Sequence, residues 1–130
     1  MLKTFEWMIQ QNSWWDSVDT IASRLAGEYF KKFPQQKEAI VLGWSNHENM
    51  WLNRTAILFQ LSYKSETDED LLFQVIKQHL HSGEFFIQKA IGWALRQYAY
   101  TQPESVKQFV AANELKPLSK REALKHLKVL

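Results

Sequence analysis

Three residues stand where helical patterning calls for something else, and they are the first candidates for chemistry. Ser13 to Asp19, Ser-Trp-Trp-Asp-Ser-Val-Asp, opens a helix: Ser13 with Asp16 three residues on is a capping box. On that helix Trp14, Val18, Ile21 and Leu25 recur as an apolar stripe, while Trp15, Asp19, Ala22 and Ala26 form the adjacent ridge. Asp19 is thus an acid in an apolar row, one turn from an indole; it points out at the stripe's edge, accepts a bond from a neighbouring helix, or serves a site. Arg54 interrupts a second row, Met50, Arg54, Ile57 and Leu61, with a planar fork suited to carboxylate or phosphate. An internal pair with an acid such as Asp19 and a phosphate contact are both open to it. Gly92 lies inside a helix beside Trp93, where glycine costs about 1 kcal/mol against alanine, so another backbone or a ligand must come close.

The elements that carry these residues read as helices throughout. A short helix over residues 3–11 is stopped by Asn12, and the one opened at Ser13 runs from Trp14 towards Phe33, ending before Pro34. A helix over 35–42 is closed by Gly43. Ser45 with Glu48 predicts a capped helix over 48–63, buried along Leu52, Ala56, Phe59 and Tyr63; Thr67 with Asp70 predicts another, closed by Gly83. Residues 84–100 carry the rows Phe86, Ala90, Trp93 and Ile87, Ile91, Ala94, Tyr98. Pro103 suits the first turn of a helix reaching Ala112, with Asn113 as its stop. Ser119 with Glu122 opens a final basic helix, placing Lys120 and Arg121 in a first turn whose free N–H groups would hold a phosphate.

The chain has 130 residues, one domain by length, with four glycines, three prolines and no alternating strand pattern, so the fold class is all-α. Short capped turns between helices predict stacked antiparallel helical hairpins, an α-α superhelix of HEAT-like repeats. There is no cysteine, which excludes disulfides, thiolate metal sites and cysteine nucleophiles. The four histidines lack metal-ligand spacing, and neither a metal nor another cofactor is expected. A net charge of +2 does not by itself announce a nucleic-acid binder. No apolar run reaches the length of a membrane span and the N-terminus lacks a signal-peptide pattern, so a soluble cytoplasmic protein is expected.

Four ordered blocks carry a resemblance: Trp-Trp-Asp-Ser-Val-Asp at 14–19, Trp-Ser-Asn-His-Glu-Asn-Met-Trp-Leu-Asn-Arg-Thr-Ala-Ile at 44–57, Phe-Phe-Ile-Gln-Lys-Ala-Ile-Gly-Trp-Ala-Leu-Arg at 85–96 and Leu-Ser-Lys-Arg-Glu-Ala-Leu-Lys at 118–125. Together they resemble the AlkD-like DNA alkylation repair glycosylases, HEAT-like proteins that release cationic N3- and N7-alkylated purines from duplex DNA without enclosing the base. The resemblance implies that Asp19 is the catalytic carboxylate, that Trp15 and Trp93 border the damaged nucleotide's sugar, and that Arg54 faces the DNA backbone. Lys89, Arg96, Ser119, Lys120 and Arg121 are the further DNA contacts expected. Two differences stand out. Asn53 occupies a position where the family commonly has arginine, and the chain resembles the C-terminal portion of family members, whose further N-terminal helices precede the Trp-Trp-Asp block. Exposed ends of such an open array favour self-association. The competing readings are a noncatalytic HEAT-like module that binds DNA or a protein, and a purely structural role for the aromatic residues with Asp19 and Arg54 as a buried pair.

Overall fold

The computed structural model describes the backbone of residues 16–125 and the side chains of residues 23–125. The helix expected over 3–11, the Ser13 cap and Trp15 lie outside the described residues, as does the side chain of Asp19. The described backbone forms seven α-helices and no strand: α1 (Asp16–Lys32), α2 (Pro34–Ser45), α3 (Met50–Leu58), α4 (Glu69–Gln78), α5 (Phe85–Ala99), α6 (Pro103–Ala112) and α7 (Pro117–Ala123), with a 3-10 turn at Lys64–Glu66. None of these helices is long and apolar enough to cross a membrane.

The odd-numbered helices form one layer, α1 packing on α3, α3 on α5 and α5 on α7. Helices α2 and α4 pack on each other behind them, and α6 lies against α5. Chain neighbours also pair, α1 with α2, α2 with α3, α3 with α4, which makes the stack of helical hairpins expected of HEAT-like repeats. Leu52, Ala56, Phe59 and Tyr63 are all buried as their spacing requires. Phe30 joins the layers, its ring 5.5 Å from Trp44 of α2 and 5.4 Å from Phe59. Where α1 crosses the end of α3, the Tyr63 hydroxyl donates to the Gly27 carbonyl at 2.6 Å, and a Cβ at Gly27 would stand 2.7 Å from the Phe59 carbonyl oxygen.

Several boundaries differ from expectation, each for a local reason. Gly43 does not end α2, which continues to Ser45. Helix α3 is capped by Asn49, whose side chain accepts from the Trp51 and Leu52 N–H groups, rather than by Ser45; it ends at Leu58, not Tyr63. The Ser45 hydroxyl instead donates to Gln78 Oε1 and contacts His79 Nε2, tying α2 to the end of α4. Asp68 caps α4 in place of Thr67, and α4 closes at His79, before Gly83. Leu25, placed in the buried stripe, is 52% exposed; Ser23, Ala26 and Phe30 form the buried row of α1. Helix α6 has the ends that Pro103 and Asn113 specify.

Two side-chain amides repeat one device. Asn53, the fourth residue of α3, donates to the carbonyls of Trp44, Ser45 and His47 at the end of α2, at 2.8, 3.1 and 2.9 Å. Gln88, the fourth residue of α5, donates to the carbonyls of His79, Leu80 and Ser82 beyond α4, at 3.2, 3.3 and 2.8 Å. Each amide satisfies carbonyls that a helix end leaves without intrahelical partners. Asn53 therefore has a structural task in this chain.

Candidate active site

Trp93 is half-buried on α5 and forms one wall of a cleft of about 280 Å³. The opposite wall is α1, through Ser23 and Arg24; the floor is Leu58, Phe59 and Leu61; and Ser62, Lys64 and Gln97 complete the lining. A second cleft of about 260 Å³ shares Leu61, Lys64 and Gln97 with it and continues along α5 to Tyr98 and Tyr100. The cleft lies across the odd layer because of a register. Ser23, Leu58 and Trp93 follow one another at an interval of thirty-five residues in α1, α3 and α5, and all three line the cleft. One turn earlier, at the same interval, stand Asp19, Arg54 and Lys89.

Lys64 is reached through a left-handed backbone, φ 53°, a conformation that costs an L-residue about 1–2 kcal/mol. Ser23 is 2% exposed, and its hydroxyl oxygen has no hydrogen-bond partner among the described residues. Neither residue was singled out in the sequence. Ser23 follows Asp19 by one turn, and Gln97 follows Trp93 by one turn, so helical spacing from the two named residues was the available signal.

Arg54 does not line this cleft. It is 1% exposed, with Nη1 donating to the Phe86 carbonyl at 2.5 Å and the guanidinium carbon 5.8 Å from both the Trp51 and Phe86 rings. The arginine expected at the DNA backbone is thus sandwiched between α3 and the start of α5. Lys89 is half-buried one turn before Trp93, its ammonium 6.0 Å over the exposed Phe85 ring. Arg96 reaches Glu122 of α7 at 3.8 Å. Lys120 and Arg121 are exposed, but they occupy the last turn of a helix that begins at Pro117, so the first-turn phosphate site expected of them is not formed. Ser119 is wholly buried, and its one hydroxyl proton is shared between the Gln88 carbonyl at 2.8 Å and Gln88 Oε1 at 2.6 Å; its hydroxyl holds α7 to α5 instead of facing solvent. Gly92 is explained by the same contact between helices: a Cβ there would stand 2.6 Å from Glu122 Cβ and 3.2 Å from the Ser119 carbonyl oxygen.

A sequence model of the DNA alkylation repair enzyme family matches residues 1–127. The chain belongs to that family. Among solved structures this DNA alkylation repair family member is similar to a predicted DNA alkylation repair enzyme from Enterococcus faecalis, with 38% sequence identity and a TM-score of 0.82. The likeness covers 90% of this chain and 55% of that one, so the chain spans about half the length of the structure it matches. No match was found among curated proteins. Within this family member, the face that carries Trp93 and its cleft is built by the three helices whose register also carries Asp19.

Proposed function

We propose that this chain forms the bond-cleaving part of a DNA glycosylase that removes cationic N3- and N7-alkylated purines from duplex DNA. The observation that carries the reading is the cleft in which Trp93 of α5 faces α1, the helix on which Asp19 lies one turn before Ser23. The reaction breaks the bond between sugar C1′ and the purine nitrogen. The bonding electrons leave with the base, which becomes neutral, and positive charge develops on the sugar. The Asp19 carboxylate stabilises that charge and orients the water that adds to C1′ and loses a proton to solvent, leaving an abasic site. A cationic base leaves without prior protonation, so no second carboxylate is needed as general acid. The faces of Trp15 and Trp93 flank the sugar and favour the developing cation by about 1 kcal/mol or more in a desolvated setting.

The buried Arg54 fits the internal alternative better than direct phosphate contact. It shares Asp19's register position one helix along, and it fixes the start of α5, the helix that presents Trp93. Lys89, Arg96, Lys120 and Arg121 supply positive charge to the DNA backbone, while Ser119 acts through the packing of α7. The partner is duplex DNA, with no cofactor.

The reading is tested by incubating the chain with methylated duplex DNA and measuring free 7-methylguanine together with abasic sites in equal amount. Release of both supports a glycosylase. Duplex binding without release contradicts it and favours the noncatalytic module.

A further inference from the structure

We propose that the cleft beside Trp93 is a phosphodiester subsite, in which Ser23 and Lys64 hold a backbone phosphate of the DNA strand next to the nucleotide bordered by Trp93. The inference rests on the reading of the chain as a DNA-binding repair protein and adds residues that reading does not include.

Ser23 is the strongest sign that something binds here. A buried hydroxyl nearly always has a hydrogen-bond partner, because leaving it unpaired after removal from water is unfavourable. Ser23 Oγ has none among the described residues, and the residue lines an open cleft, not a closed core. The same cleft is also lined by two cations, Arg24 and Lys64, and by the amide of Gln97, a set rich in donors and positive charge. Its floor is apolar, with Leu58, Phe59 and Leu61, and one wall is an indole. An anion joined to an apolar-faced ring matches both halves of this lining, and a sugar phosphate is such a group. The left-handed backbone at Lys64 is a second sign, since sparsely populated backbone conformations cluster where a ligand is gripped. The neighbouring cleft extends the path past Gln97 towards the exposed Tyr100, so the strand has a course along α5 beyond the phosphate held at Lys64.

The experiment measures affinity for an undamaged duplex oligonucleotide across a salt series for the parent chain, Ser23→Ala, Lys64→Gln and Lys107→Gln. Melting temperatures are recorded alongside. Lys107 is on α6 and pairs with Glu104, so its variant controls for loss of one positive charge elsewhere. Lys64→Gln should reduce the slope of log affinity against log salt by about one, and Lys107→Gln should leave it unchanged. Ser23→Ala should weaken binding roughly tenfold, as loss of a hydrogen bond to a charged group does, without lowering the melting temperature, because it removes an unpaired hydroxyl. Parent-like affinity and slope in both variants would overturn the subsite, as would a Ser23→Ala chain that loses stability along with affinity. A parent chain that binds and shows the expected variant pattern but releases no alkylpurine would overturn the glycosylase reading and leave the subsite standing. A parent chain that does not bind duplex DNA would overturn both.

Discussion

Gly92 of α5 lies against Glu122 of α7 so closely that a Cβ built on the glycine would be 2.6 Å from Glu122 Cβ. A β-carbon cannot swing aside as a side-chain tip can, so α7 must shift to accommodate alanine. Gly92→Ala should therefore destabilise the chain by about 1–2 kcal/mol in urea unfolding, overpacking outweighing alanine's helix propensity. Adding Glu122→Gly should recover part of the loss. Stabilisation by Gly92→Ala alone would show that the glycine is not held by this contact.

The amides of Asn53 and Gln88 close the ends of α2 and α4. Asn53→Ala and Gln88→Ala should each cost about 1–3 kcal/mol, since several helix-end carbonyls lose a donor together. Gln88→Ala should cost more, because Ser119 also loses its bond to Gln88 Oε1. Changes within about 0.5 kcal/mol, the range of ordinary surface substitutions, would contradict this account.

Burial holds the His79 imidazole below the usual histidine pKa, against an opposing hydrogen bond with the Ser45 backbone. The folded chain therefore prefers the neutral ring, and the unfolded chain binds more protons as pH falls through about 6.5. Stability from this group is present above that pH and is lost on acidification towards the lowered folded value. The melting temperature should fall between pH 7.5 and 5.5, and His79→Gln should flatten the dependence. An unchanged slope in the variant would assign the effect elsewhere.

Helix existence was legible because apolar spacing survives tertiary packing, and α6 was legible at both ends because proline and asparagine act locally. Caps were less so. Ser45 and Ser119 have the right spacing for capping boxes, yet each hydroxyl is taken by a neighbouring helix, and Asn49 and the segment before Pro117 start the helices instead. The exposed Leu25 shows the limit of counting apolar residues, since the buried face of α1 turns on the small residues Ser23, Ala26 and Gly27 that admit close packing. In the site, Trp93 was legible from its family block. Lys64 was not, because α3 ends at Leu58 and the chain turns twice before reaching it. The burial of Arg54 depends on Phe86, thirty-two residues on, whose carbonyl no local pattern could assign to it.

The most direct test compares the parent chain with Asp19→Asn at matched concentration and verified folding, measuring initial release of 7-methylguanine from methylated duplex DNA. The account predicts release by the parent and a fall of at least about 100-fold in the variant, the scale on which loss of a charge-stabilising group acts, with affinity for undamaged duplex largely retained. Equal release by the two chains would contradict the central claim that Asp19 is the carboxylate that supports cleavage.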